Sequence, residues 1–275
     1  MTSAILKHED GTIELTVTVP WALVKKEKEH VIDEHVKVSE LPGFRKGMAP
    51  KDLVEKSLDK DHIREDILRK LLPGTYVEVL KEHKLNPILN PKLHVDKLEE
   101  EKDWVYTAFT AEAPNVLLTN YKDEVKKITA KSKIIVPGKE PVSVSFEEIS
   151  SAIIEKATVK IPKIIIDQEV DRLLSQTLDE VKKLGLTLDQ YLASTNRNSE
   201  TLRQEYAIKA ERDVKLEFVL QEIAKQEGIK VEEKEIDEAI AQSKDETERQ
   251  NLSGNRYLLA SIIRQQKTLD FLRSL

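Results

Sequence analysis

The sequence predicts an α+β protein in which helices cover an N-terminal antiparallel sheet and an all-helical region follows. Three observations carry this. Strand-like alternation is confined to the first 110 or so residues, and helical periodicity takes over after about residue 145. Charged residues make up 34% of the chain and aromatics only 5%, which points to long amphipathic helices rather than large sandwiches. At 275 residues the length suits about two domains, with enough apolar residues for packed cores.

The opening "AILKHEDGTIELTVTVP" alternates apolar and polar residues around Asp10-Gly11, a favoured two-residue turn, and predicts a β-hairpin. Its second strand puts Ile13, Leu15, Val17 and Val19 on one face. From Trp21 to about Ser39 the spacing is helical, with Leu23, Val31, Ile32 and Val36 as apolar positions. A second helical region runs from about Pro50 to Leu85 through Leu53, Leu58, Ile63, Ile67, Leu71, Val77 and Leu80, with Pro73-Gly74 expected to kink or break it. "NPILNPKLHVDKL" and "DWVYTAFTAEAP" then alternate again, giving two strands with Leu93 and Val95, or Trp104, Tyr106 and Ala108, on one side. Residues 1–113 form the first expected domain.

Residues 114–145 carry prolines, a Pro-Gly pair and short extended runs, and are expected to be an extended linker that adds a strand or lies along a surface. Beyond it, residues 146–275 form the second domain. Ser145 with Glu148 and Thr187 with Gln190 make capping boxes that open two helices, the latter just after Gly185 closes the helix before it. Ile166, Val170, Leu173, Thr177, Val181 and Leu184 recur at helical spacing. Leu202, Tyr206, Ala210, Val214 and Phe218 step by four along a longer helix, with Leu216, Leu220 and Ile223 widening its apolar face. Gly228 ends it, Val231–Gln242 is a short charged helix, and Arg256–Leu275 is the last.

The net charge of −6 gives the chain as a whole no bulk attraction to nucleic acid. Cysteine is absent, which removes disulfides, thiolate metal sites and a Cys nucleophile, and fits a reducing cytosol. There is no signal-like start and no apolar run of membrane-spanning length, so a cytoplasmic protein with no membrane partner is expected. The sequence has no P-loop, dinucleotide-binding glycine pattern or nucleophile elbow. His30 and His35, five apart on one helix, fall on different faces, unlike a zinc pair. No catalytic residue, metal or cofactor is expected.

One stretch stands out. "LPGFRKGMAP", residues 41–50, places Phe44, Arg45 and Lys46 between Gly43 and Gly47, with Pro42 and Pro50 at the borders and no carboxylate inside. Glycines allow positive φ on both sides of the triplet, and the prolines stiffen the entry and open the next helix, so a short preshaped tip is expected. With Lys51 following, the cations suit phosphate contacts, and Phe44 suits an apolar pocket or stacking. The plain alternative is an ordinary helix-to-helix turn with Phe44 packed inward and the cations solvated.

"GFRKGMAP" resembles the Gly-Phe-Arg-x-Gly-Lys-x-Pro signature of trigger factor, a family of ribosome-associated bacterial chaperones. The likeness extends to "ELTVTVP", "LLPGTYVEVLKEHKLNPILNP" and "FTAEAPNVLLTNYKDEV" in the first half, and to "KIPKIIIDQEVDRLL", "LGLTLDQYL" and the closing "KTLDFL" in the second. It implies an N-terminal ribosome-binding domain and a helical domain with arm-like projections that cradle nascent chains. It further implies docking beside the exit tunnel, on ribosomal protein and rRNA, through Gly43, Phe44, Arg45, Lys46, Gly47 and Pro50. The implied activity is ATP-independent shielding of nascent or unfolded polypeptides; the alternative is a free holdase or assembly chaperone for particular partners. A homodimer off the ribosome is plausible from the apolar surface of the helical half. Two departures stand out: Met48 replaces the usual Lys, and the linker leaves no room for the peptidyl-prolyl isomerase domain that family members often carry, so no isomerase activity is expected.

Overall fold

A computed structural model describes residues 1–132, 145–242 and 245–275. The chain divides into two units, Met1–Ala113 and Pro114–Leu275.

The first unit holds β1 (Thr2–Lys7), β2 (Thr12–Val19), α1 (Trp21–Val38), α2 (Lys51–Ser57), α3 (Lys60–His83), β3 (Lys92–Lys97) and β4 (Trp104–Ala111). The strands form an antiparallel sheet in the order β1-β2-β4-β3. Register explains the alternation of apolar and polar residues. Leu15 pairs with Ala108, Val17 with Tyr106 and Val19 with Trp104, so every second residue of both central strands points to one face. Val24 and Val31 of α1 and Ile63, Ile67, Tyr76 and Val79 of α3 cover that face. The opposite face carries Thr16, Thr18 and Glu14, as suits a sheet solvated on one side.

The helices differ from expectation in two ways. The region after Pro50 breaks at Leu58-Asp59 rather than at Pro73-Gly74. Asp59 is the N-cap of α3, its carboxylate accepting the N–H of Asp61 at 3.1 Å, which ends one helix and opens the next. Pro73 lies inside α3, where apolar packing on either side outweighs one lost backbone hydrogen bond. Leu23, Leu53 and Val77 are exposed, while their neighbours Val24, Val54 and Tyr76 are buried. Adjacent apolar residues left the helix phase open by one position, and contact with the sheet settles it.

In the second unit are β5 (Leu117–Leu118), α4 (Tyr121–Ser132), α5 (Phe146–Glu155), β6 (Ala157–Thr158), α6 (Lys163–Lys183), α7 (Leu188–Ser194), α8 (Ser199–Gln226), α9 (Glu233–Gln242), α10 (Glu246–Gly254) and α11 (Arg256–Ser274). Residues 114–145 add a strand, β5, which pairs with β6, but they are not wholly an extended linker: α4 contributes Tyr121 and Val125 to a core with Ile149, Ile153, Val219, Leu220, Ile223 and Leu272. Tyr121, Val125 and Ile128 recur at helical spacing, a pattern masked by the prolines around it. The remainder of the supposed linker, 133–144, lies outside the described residues. The Tyr121 hydroxyl donates to Glu227 at 2.8 Å and the Lys122 ammonium to the same carboxylate, fastening α4 to the end of α8. Those two donors hold the Glu227 carboxyl below its ordinary range, Lys122 foremost.

Both predicted capping boxes are present, at Ser145 with Glu148 and at Thr187 with Gln190, and Asn198 with Thr201 makes a third at the start of α8. A separate small cluster joins α6 to α8 through Val170, Leu173 and Ala210, with Ile166, Leu174 and Tyr206 against it. The Thr177 and Tyr206 hydroxyls meet at 2.6 Å and extend this contact. The α6–α8 pair thus has a core of its own, as an arm requires.

Candidate functional site

The predicted tip lies between α1 and α2 and is made of two successive β-turns. The Phe44 N–H donates to the Leu41 carbonyl at 3.0 Å, and the Met48 N–H to that of Arg45 at 2.9 Å. Each turn has glycine in its third position, Gly43 at φ 87° and Gly47 at φ 80°, the left-handed conformation a type II turn needs there. Pro42 occupies the second position of the first turn, where its fixed φ is already correct. A third bond, from the Gly47 N–H to the Ser39 carbonyl at 3.1 Å, closes the loop onto the C-terminus of α1. Ala49 is buried, and Pro50 is the N-cap of α2.

This backbone holds the triplet outward. Phe44 is 40% exposed, and Arg45 and Lys46 are exposed. The inward-packed alternative, with the ring buried, is not what the fold shows. Neither cation has an ion-pair partner among the described residues. Lys51 differs, because its ammonium pairs with Asp33 of α1. The free cations at the tip are therefore Arg45 and Lys46, a point that sequence adjacency did not reveal. Met48, in the second turn, is 73% exposed and adds apolar surface beside Phe44.

Ion pairs brace the base of the loop. Lys70 of α3 pairs with Glu34 of α1, and Lys28 of α1 reaches Glu55 of α2 at 2.7 Å. The half-buried His35 ring meets Asp66 of α3 at 2.8 Å, four residues before the last turn of α1 gives way to the loop. The hydrogen bond with His35 is the main reason the Asp66 carboxyl sits below its ordinary range. These contacts keep α1, α2 and α3 in one frame, so the loop is carried on a rigid support.

The second unit exposes scattered large apolar side chains on charged helices. Tyr257, Leu258 and Ile262 stand out on the N-terminal half of α11, at 87%, 59% and 51% exposure, while Thr268 and Leu272 bury its C-terminal half. The last helix is thus both a brace and an exposed apolar surface. Ile208 on α8 and Leu184 at the end of α6 are also exposed, the latter despite its place in the predicted apolar row. Among the described residues, no His, Cys, Asp or Glu cluster could hold a metal ion, and no helix is long and apolar enough to cross a membrane.

A family model described as bacterial trigger factor protein matches residues 1–149, and one described as bacterial trigger factor protein C-terminus matches residues 144–274. The chain belongs to the trigger factor family. The trigger factor of Carboxydothermus hydrogenoformans is 30% identical over 248 residues, covering 84% of this chain and 52% of that one. That of Staphylococcus epidermidis is 34% identical over 128 residues, covering 46% of this chain and 30% of that one. The chain thus spans about half the length, or less, of these relatives. A solved structure from work on promiscuous substrate recognition in the folding and assembly activities of the trigger factor chaperone superposes with a TM-score of 0.63 at 13% identity, covering 100% of this chain and 99% of that one. The fold is therefore that of trigger factor. The two matched models overlap at residues 144–149, so the N-terminal and C-terminal family regions follow each other directly.

Proposed function

We propose that this chain is an ATP-independent holding chaperone of the cytoplasm that docks at the ribosomal exit tunnel through its 43–47 tip and shields nascent polypeptides on its helical unit. The carrying observation is the rigid tip that presents Phe44, Arg45 and Lys46 to solvent with both cations unpaired. Arg and Lys at such a tip contact phosphate, and a half-exposed ring beside them fits a protein pocket or stacks on a base. Family membership supports the same reading. The residues 1–113 would be the docking module and 114–275 the holding module.

On the helical unit, Tyr257, Leu258, Ile262, Ile208 and Leu184 offer separate apolar contacts within a charged surface. Such a surface binds unfolded segments weakly at many points and does not demand a particular sequence. Direct succession of the two family regions supports activity without prolyl isomerisation: the chain would hold a client during the slow uncatalysed step rather than accelerate it.

The test is cosedimentation with ribosomes of the wild type and of a Phe44→Ala, Arg45→Ala, Lys46→Ala variant. Loss of pelleting in the variant, with unchanged circular dichroism, is expected. Equal pelleting by both would detach the loop from docking. Failure of the wild type to pellet, together with suppression of aggregation, would favour a free holdase.

A further inference from the structure

The first unit contains a cavity of roughly 460 Å³ that the proposed function does not use. Helices α1, α2 and α3 and the connection from β3 to β4 all contribute to it, and it is partly open to solvent. Its volume lies in the range of about 300–1,000 Å³ typical of small-molecule sites. The apolar lining comes from Trp21, Val24, Ile63, Ile67, Leu98 and Trp104.

The charges at its rim are unequal once their pairings are considered. Lys28 binds Glu55 at 2.7 Å and Glu100 at 3.4 Å, so one ammonium bridges two lining carboxylates and offsets the charge of one of them; Glu55 foremost pushes the Lys28 ammonium above its ordinary range. Arg64 pairs with Asp61 at 2.8 Å. Lys56, in the last turn of α2, and Lys60, in the first turn of α3, line the cavity with no ion pair among the described residues, and the same holds for Asp52 of α2. The lining as a whole carries four cations, Lys28, Lys56, Lys60 and Arg64, against three carboxylates, Asp52, Glu55 and Glu100, and the excess positive charge falls where Lys56 and Lys60 flank the apolar interior.

We infer that this cavity is a binding site for a small amphipathic anion, an aliphatic chain or aromatic body carrying one carboxylate. The apolar part would lie against the two indoles and Ile63, and the carboxylate would meet Lys56 and Lys60 at the rim. This inference stands apart from ribosome docking, since it uses none of the tip residues.

The molecule supplies its own reporter. Trp21 and Trp104 are the only tryptophans in the chain and both line the cavity, so ligand bound there changes the surroundings of both fluorophores. The experiment titrates the full chain with dodecanoate and, separately, with dodecyltrimethylammonium, both below the concentrations at which they form micelles. Tryptophan emission is followed. Saturable change with dodecanoate and about tenfold weaker response to the cation are expected. In a Lys56→Ala, Lys60→Ala variant, whose substitutions are exposed and favour helix, dodecanoate binding should weaken by about tenfold. Equal responses to both amphiphiles, a response that never saturates, or unchanged affinity in the double variant would each overturn the inference. So would silence towards dodecanoate alongside saturable binding of an acidic, leucine-rich peptide, which would make the cavity a polypeptide site.

Discussion

Gly47 approaches the carbonyl of Lys37 so closely that a Cβ placed on it would stand 3.2 Å from that oxygen. At Gly43, in the companion turn, a Cβ would meet nothing within 4 Å. Both have positive φ, so alanine at either site carries a backbone penalty of about 1–2 kcal/mol. Only at position 47 does the end of α1 also have to give way. Gly47→Ala should therefore lower stability more than Gly43→Ala and speed amide exchange at the Gly47 and Met48 N–H groups. Urea unfolding combined with hydrogen exchange measures both effects.

The pairing of Lys51 with Asp33 sets an expectation for salt dependence. With Arg45 and Lys46 as the free cations, the slope of log affinity for ribosomes against log salt should be about −2, since each phosphate contact contributes nearly one unit. Asp33→Asn releases Lys51 and should steepen the slope towards −3. Lys51→Ala should leave it near the wild-type value. Sedimentation at a series of salt concentrations distinguishes these cases.

Acid should weaken the support beneath the loop. Asp66 has a lowered carboxyl pKa in the folded state, owing first to its hydrogen bond with His35. A carboxylate of this kind stabilises the fold above its unfolded pKa, near about 4, and that contribution disappears as pH falls through the lower folded value. Asp66→Asn should cost about 1 kcal/mol at neutral pH and flatten the acid limb of the stability curve. Because both tryptophans lie in the first unit, their fluorescence during urea unfolding at several pH values follows that unit alone.

The proposed holding role of the exposed apolar side chains on α11 can be separated from folding. Replacing Tyr257, Leu258 and Ile262 with serine should cost about 0.5 kcal/mol at Tyr257, which buries little, and about 1 kcal/mol at each of the half-buried Leu258 and Ile262. Suppression of client aggregation should fall at the same time. A light-scattering assay with a denatured client, run beside thermal unfolding, checks both halves of this expectation.

Periodicity revealed the sheet well, since Ile13, Leu15, Val17 and Val19 are all buried as their alternation requires. Local chemistry was equally legible at Ser145 and Thr187, where capping boxes use residues only three apart. The errors arose where tertiary contact decides. Pro73 did not end α3, and the choice between Leu23 and Val24 depended on which one meets the sheet. α4 was hidden in a proline-rich stretch whose short helical pattern acquires meaning only beside Ile149 and Ile223. At the tip, Gly43 and Gly47 made the turns legible, but the sequence left open whether Phe44 turns outward or inward, and the capture of Lys51 by Asp33 depends on how α1 meets α2. The cavity was invisible in sequence because the topology brings Trp21 and Trp104 together from opposite ends of the unit.

The three hydrogen bonds that shape the tip join backbone to backbone: Phe44 to Leu41, Gly47 to Ser39 and Met48 to Arg45. None uses the side chains at positions 44, 45 or 46. Form and side-chain chemistry are thus written in different atoms, so exchanging those three letters should leave the scaffold of the tip as it is and alter only the surface it offers.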